Sequence, residues 1–416
     1  MKGLVIFDLD GTLLCTHRHL TKAVNETLRE YGFSGVDDGK IKPLIGESSE
    51  AFYKNIAPGC KNMDNFISTF REKERLALRE NGQLYGGVVE LLSRLRREGF
   101  NLAICSNGSR EYIELALNAV NIKNMFQYIY SSQEFISKVE AIHALMIASQ
   151  HKNVVMVGDR YYDLRAAQLN HIPFISAMYG YGTANEMADS SFTAETPKDI
   201  FSLVMQLALY AQIYIQIKQL DNVHCVGING VDTSGKTIFS NQFAKMLRSI
   251  GKPVVVVHLD DFHNPRALRA IGYNEIDAYI KNAFDLSTLL SEILCPIRQY
   301  GTVHKELTLL DLDSDSFVLK RKYDITEQTI VLLEGVLLYR QPIEDFIDFK
   351  IFLDIEFEEV IRRATVRDVP KYGIEFLEKY RKKYIPIQQW YLRFCDPKGK
   401  SDIVVDNSNP QCPRIL

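Results

Sequence analysis

Short apolar runs recur along this chain, and several end in acidic or glycine-bearing residues. In the first half they are Leu4-Val5-Ile6-Phe7 before Asp8-Leu9-Asp10-Gly11-Thr12, Phe100 to Cys105 before Ser106-Asn107-Gly108-Ser109, and Asn153 to Val157 before Gly158-Asp159. Runs of this length and composition predict strands buried on both faces, as in a parallel sheet. Between Thr12 and Gly86 the period changes. LTKAVNETLREYGF, SEAFYKNI and DNFISTFREKERLALRE place apolar residues every three to four positions, which predicts helices. The second half returns to strand runs: a build-up to Val226 and Ile228, Pro253 to His258, Thr329 to Leu333, Lys350 to Leu353, and Ser401 to Asp406. A helical stretch from Ile238 to Leu247 follows the first of these. The pattern predicts an α/β chain with two doubly wound parallel-sheet domains.

Between the halves, Ile200 to Ile217 carries no formal charge and is mostly apolar. Ser202, Gln206, Gln212 and Gln216 interrupt it, so a packed helix is expected in preference to a membrane span. The expected division is a first domain over residues 1–200, with a cap at about 15–85, a linker helix over 201–220 and a second domain over 221–416. The boundary itself is placed near Gln219 to Asn222. A chain of 416 residues fits two or three cores. Its 46% apolar and 24% charged content is that of a globular protein, and a net charge of −3 argues against a nucleic-acid or membrane surface. The seven cysteines form no C-x-x-C pair, which fits reduced thiols in a cytoplasmic location better than disulfides or zinc.

Chemistry concentrates where the runs end. Asp8 and Asp10 lie two residues apart at a strand end and so share a side of the backbone. One carboxylate can attack phosphorus while the other handles the leaving-group proton. Ser106, Asn107 and nearby amides can hold phosphate oxygens, and Lys138 can neutralise phosphate charge. Asp159 and Asp163 are placed to hold Mg²⁺ with Asp8; the expected metal set of this half is Asp8, Asp10, Asp159 and Asp163. In the second half, Gly230 and Gly235-Lys236-Thr237 spell G-x-x-x-x-G-K-[ST] between a strand and a helix. The glycines let amides turn toward phosphate, and the helix N-terminus adds positive potential. Gly230, Asp232, Ser234, Gly235, Lys236 and Thr237 are therefore expected at ATP, and Thr237 also at Mg²⁺. Asp260, at the next strand end, is placed to take a proton from an acceptor hydroxyl; Glu334 closes a third strand as an acidic partner of the metal. Arg362, Arg363 and Arg367, in VIRRATVRD, can clamp phosphate charge.

The ordered set Asp8-x-Asp10-Gly-Thr, Ser106, Lys138 and Gly158-Asp159-x-x-x-Asp163 resembles the haloacid dehalogenase-like phosphatases over roughly residues 1–200. The resemblance implies a Rossmann-like core with a small helical cap. Asp8 is then the nucleophile that becomes an aspartyl phosphate, Asp10 the general acid/base, and Ser106 and Lys138 the phosphoryl ligands. Members near phosphoglycolate phosphatase usually carry Lys-Pro at the lysine motif, where this chain has Lys138-Val139. Over about 221–409, GINGVDTSGKT, LDDFHNP, NAFD, LLEGV, IRRATVRD and SDIVVDN resemble the uridine kinase and phosphoribulokinase group of P-loop kinases. That implies Asp260 as base, Glu334 in the metal site, and Arg363 and Arg367 in a lid. His263 stands where a uridine kinase usually has Tyr, and Asn282 precedes Ala283-Phe284-Asp285 without the usual fuller motif.

The expected protein is a bifunctional enzyme: a Mg²⁺-dependent phosphatase of small phosphate esters joined to an ATP-dependent kinase of a nucleoside-like hydroxyl compound, for example uridine. Two alternatives stand beside it, a polynucleotide kinase-phosphatase and a nucleotide-binding sensor whose phosphatase half is a scaffold. Neither substrate nor oligomeric state is readable from the chain.

Overall fold

In the computed structural model, which describes residues 2–47, 49–220 and 223–416, the chain falls into two compact units, 1–211 and 212–416. Asp221 and Asn222, part of the expected boundary, lie outside the described residues. The division falls within one helix, Pro197–Ile217. That helix is long and apolar enough to cross a membrane by length and composition. Ile200, Val204, Leu207 and Ile213 are nevertheless fully buried in the protein. Within the first unit, Asn153 donates to the Ala208 carbonyl (2.9 Å) and the Arg94 guanidinium lies 3.8 Å from the Phe201 ring centre.

The first unit is built on six strands: β1 (Gly3–Phe7), β2 (Phe100–Ser106), β3 (Tyr128–Ser131), β4 (Val154–Gly158), β5 (Phe174–Ala177) and β6 (Phe192–Ala194). They form one parallel sheet in the order β3-β2-β1-β4-β5-β6. Both faces are covered, so β1 and β4 are buried at every position. The order reverses between β1 and β4, and loops leaving the strand ends diverge there to leave a crevice. Asp8 and Asp159 follow directly at those two ends. Val88–Arg97 shows how the helices attach: Val88, Leu91, Leu92 and Leu95 make one apolar stripe, all buried.

The cap follows β1. His17–Glu30, Asp38–Ile41, Ser49–Ile56 and Met63–Asn81 are helical. They pack on a separate small core that includes Leu20, Val24, Leu28, Phe66 and Phe70. Met63–Asn81 begins where the Asn62 side chain accepts the Asn65 amide, a helix cap.

The second unit has β7 (Cys225–Gly230), β8 (Val254–His258), β9 (Val303–Asp311), β10 (Ser316–Ile325), β11 (Ile330–Gly335), β12 (Phe349–Asp354), β13 (Ile403–Asp406) and β14 (Arg414–Ile415). Its main sheet runs β14-β13-β12-β7-β11-β8, parallel except for the β13–β14 pair. The strand read from SDIVVD therefore has a further strand outside it. Strands β9 and β10 form a separate antiparallel hairpin that the apolar pattern does not announce. Most of its side chains face water, and only Val303, Leu309, Leu310, Tyr323 and Ile325 are buried. In the main sheet β7 is central, so the loops after β7, β8 and β11 converge.

Candidate active sites

In the first unit the acidic end of β1 meets the ends of β2 and β4. Gly11, with φ of +88°, makes the turn; a Cβ there would stand 2.2 Å from a carboxylate oxygen of Asp159, so any side chain would displace that residue. Asp8, Asp159 and Asp163 each offer one oxygen, all within 4.8 Å of one another, and all three residues are buried. Lys138, at the start of helix Lys138–Ser149, is itself buried and lies 2.6 Å from Asp8 and 2.5 Å from Asp163. Burial raises the pKa of Asp8 far above its usual range; Lys138 opposes this and the charges of Asp163 and Asp159 reinforce it. Asp159 is pushed up to about 7, by burial first and Asp163 second. Against the burial that would lower it, Lys138 is held charged by Asp163 and Asp8. Three buried carboxylates against one ammonium leave an excess of negative charge. An all-oxygen donor set of this kind suits a hard divalent cation such as Mg²⁺.

Asp10 differs from the expected metal set. Its carboxylate is outside the three-carboxylate group, and one of its oxygens accepts from the hydroxyls of Thr16 (2.6 Å) and Tyr112 (2.7 Å). Burial raises its pKa in spite of these bonds, which suits a proton donor better than a metal ligand. Asp163 is fixed by the Arg160 amide at 2.9 Å, and Asp159 by the Tyr181 amide (2.7 Å) and the Thr12 hydroxyl (3.1 Å). The Ser106 hydroxyl accepts the Gly108 amide, while Asn107 is held by Ser132 and donates to the Gly46 carbonyl.

These groups open into a cavity of about 160 Å³ between the core and the cap, lined by Asp8, Asp10, Ser106, Lys138, Tyr112, Phe52, Tyr53, Arg71 and Glu74 among others. Tyr112, Thr16 and Glu74 are absent from the sequence-derived set. No local motif marks them, since each is brought in by the packing of the cap or of a neighbouring helix.

In the second unit the loop after β7 leads into helix Lys236–Ser249, with Gly235 left-handed at φ +91°. The Thr237 hydroxyl donates to Glu334 at 2.9 Å, so the two residues expected at Mg²⁺ already touch. His258, at the end of β8, lies 2.7 Å from the same Glu334 oxygen, and that hydrogen bond raises its pKa against burial. Lys236 turns back onto the Val231 carbonyl at 2.9 Å. Asp232 is half-buried; desolvation raises its pKa, with Lys236 opposing and Asp260 reinforcing. Tyr279 is pushed up by burial and by the charges of Asp232 and Asp260.

The arginines divide. Arg363 pairs with Glu359 (2.6 Å) and donates to the carbonyls of Thr233 (3.1 Å) and Asn407 (2.6 Å), so it braces the phosphate loop. Arg367 pairs with Asp368 and reaches the Tyr380 hydroxyl; the charge of Asp232 is also felt there. Arg362 pairs with Glu359 and is largely exposed. Asn407 was not singled out from the sequence, yet it is buried and donates to the Ser234 carbonyl at 2.6 Å. A Cβ on Gly235 would come within 2.9 Å of the same amide nitrogen.

Comparison with known proteins divides the chain in the same way. Residues 5–177 match the haloacid dehalogenase-like hydrolase family, and residues 225–410 match the phosphoribulokinase/uridine kinase family. The first half is 28% identical over 200 residues to a phosphoglycolate phosphatase of Colwellia psychrerythraea, covering 45% of this chain and 88% of that protein. It is 27% identical over 193 residues to a phosphoglycolate phosphatase of Agrobacterium fabrum, covering 44% and 82%. Among solved structures, a chain described as a possible uridine kinase from Bacillus stearothermophilus superposes with a TM-score of 0.39 at 24% identity, over 47% of this chain and 96% of that one.

Proposed function

We propose, for a chain that joins a haloacid dehalogenase-like hydrolase domain to a phosphoribulokinase/uridine kinase family domain, that the first hydrolyses a small phosphate monoester and the second phosphorylates a small hydroxyl compound of the nucleoside kind with ATP. The observation that carries the first half is the buried contact of Lys138 with Asp8 and Asp163, beside Asp159.

In the hydrolase half, the substrate phosphoryl group sits between Asp8 and the Ser106–Asn107 loop. Asp8 attacks phosphorus, and Asp10 protonates the departing oxygen. Thr16 and Tyr112 hold Asp10 in place for that transfer. The aspartyl phosphate is then released by water, with Asp10 taking the water proton. Lys138 stabilises negative charge on Asp8 and on the phosphoryl oxygens. Mg²⁺, held by Asp8 and Asp159 with Asp163 in support, would offset the charge of the buried carboxylates and of the phosphate. Removal of divalent ions with EDTA should stop hydrolysis of p-nitrophenyl phosphate, and added Mg²⁺ should restore it. Full turnover in EDTA would remove the metal role.

In the kinase half, the amides of the loop from Gly230 to Gly235 would cradle phosphates, Lys236 would turn from the Val231 carbonyl toward them, and Thr237 and Glu334 would hold Mg²⁺. Asp260 takes the acceptor proton. Asp260→Asn should lower kcat about 100-fold or more with little change in KM for ATP, since general-base loss acts on the chemical step. Steady-state kinetics of ATP consumption across a panel of nucleosides, sugars and 5′-hydroxyl oligonucleotides would test both the acceptor class and this role. Comparable turnover by the variant and the wild type would remove Asp260 as base, and preference for oligonucleotides would favour an enzyme of nucleic-acid ends. If both halves acted on one position of one compound, ATP would be hydrolysed with no net product. The two sites therefore take different substrates or different positions on one substrate, or are reciprocally regulated.

A further inference from the structure

The cap segment 43–47, between helices Asp38–Ile41 and Ser49–Ile56, walls part of the first unit's cavity through Leu44, Ile45, Gly46 and Glu47. One core side chain holds it there. Arg160 is buried, directly follows the candidate metal ligand Asp159, and lines the same cavity. Its guanidinium donates to the carbonyls of Ile45 and Pro43 (3.4 Å for the latter) and pairs with Glu47 at 2.8 Å. On the core side Glu186, 3.0 Å away, fixes the same guanidinium. The Tyr162 hydroxyl donates to the second Glu47 oxygen at 3.1 Å, and the Asn107 side chain donates to the Gly46 carbonyl at 3.2 Å. Gly46, at φ +89°, lets the segment pass this close, since a Cβ there would stand 3.2 Å from Cγ of Arg160. Pro43, Ile45, Gly46 and Glu47 are thus all bonded to the core. Arg160 makes most of these bonds, which the flat, many-donor guanidinium can do at once and an ammonium cannot.

The cavity under this segment measures about 160 Å³. Pockets that enclose a drug-sized ligand, a class into which a nucleotide falls by size, measure about 300–1,000 Å³. A phosphoryl group with a short alcohol suits the smaller space. A nucleoside would need the segment to lift, and lifting breaks the bonds to Arg160 together. We propose that Arg160 is a specificity-determining residue of the phosphatase site: by pinning the segment 43–47 it limits the substrate to phosphate esters no larger than a sugar phosphate, and it excludes nucleotides. The proposal rests on the phosphatase reading above. It also bears on the joined kinase half, because a nucleoside monophosphate made there would not be hydrolysed here.

The test measures phosphate release by the full chain with Mg²⁺ from ribose 5-phosphate, uridine 5′-monophosphate and p-nitrophenyl phosphate. The first two share the sugar phosphate, so their ratio reads the room left for the base. The wild type is expected to show kcat/KM at least about tenfold higher for ribose 5-phosphate, the lower part of the range for forcing extra atoms into a packed space. Arg160→Ala should remove most of that ratio, chiefly by lowering KM for the nucleotide. Glu47→Gln, which loosens the same contact from the cap side and buries nothing new, should narrow it by a smaller factor. The double variant should narrow it no further than Arg160→Ala alone, because both changes act on one contact. Arg160→Lys should fall between wild type and Arg160→Ala. A wild type that hydrolyses the nucleotide as well as the sugar phosphate would overturn the proposal and leave the phosphatase reading intact. So would variants that lower all three substrates by the same factor, which is what a purely structural role predicts. No turnover of p-nitrophenyl phosphate by the wild type would overturn the phosphatase reading, and this proposal with it.

Discussion

Asp8→Asn is expected to reduce phosphatase turnover by at least about 1000-fold, because an amide is a far poorer nucleophile than a carboxylate. The change keeps size and shape, and the amide oxygen can still accept from Lys138, which lies 2.6 Å from Asp8. It also removes one charge from a buried set in which Asp163 and Asp159 both oppose ionisation of Asp8. The fold should therefore be no less stable, and loss of activity can be read as chemistry. Kinase turnover in the same protein should stay within about twofold of wild type, because neither set of candidate residues borrows a member from the other half. Phosphate release and ATP consumption measured on one preparation check both statements. Phosphate trapped covalently on a residue other than Asp8 would overturn the nucleophile assignment. Loss of kinase turnover in the folded variant would overturn the independence of the two chemistries.

Lys236→Ala is the counterpart in the second half. It should lower ATP-dependent phosphorylation by about 1000-fold, the scale of effect for a cation that balances charge on a transferring phosphoryl group. The structure gives a reason to expect an intact loop in this variant. Lys236 contacts the loop through the Val231 carbonyl alone among the hydrogen bonds described for its side chain, whereas Arg363 and Asn407 hold the Thr233 and Ser234 carbonyls independently. The loss should therefore appear chiefly in kcat, with phosphatase turnover retained. Isothermal titration with ATP, beside the kinetics, separates weakened nucleotide binding from weakened transfer. Residual kinase turnover within tenfold of wild type would rule out the assigned role of Lys236.

The parallel strands were legible because apolar runs ended in polar or acidic residues. Asp8, Ser106, Asp159, Asp260 and Glu334 all sit at or just beyond strand ends in the structure. The helical cap was legible from its three-to-four spacing. The β9–β10 hairpin was not, because the consecutive residues His304, Lys305 and Glu306 are all exposed and the apolar alternation is broken. Nor were the residues that complete each site. Tyr112 reaches Asp10 from 102 residues away, and Asn407 reaches the phosphate loop from 173 residues away. Such contacts depend on how helices and strand ends meet in three dimensions, which a one-dimensional pattern does not carry. Asp10 shows the same limit from the other side. Its spacing from Asp8 suggested a shared side of the backbone, but not that the hydroxyls of Thr16 and Tyr112 would both donate to one of its oxygens.

The brace made by Arg363 and Asn407 has a consequence for the order in which the protein comes into being. Ser234, in the GINGVDTSGKT stretch, and Asn407 are 173 positions apart in the chain. Until Asn407 emerges, the Ser234 carbonyl lacks its partner, and the Asn407 carbonyl that anchors Arg363 is missing too. Strands β11 and β12, which flank β7, also emerge after it. The nascent second half should therefore complete its phosphate loop late in synthesis, while the candidate residues of the first site, through Asp163, have already left the exit tunnel and can come together.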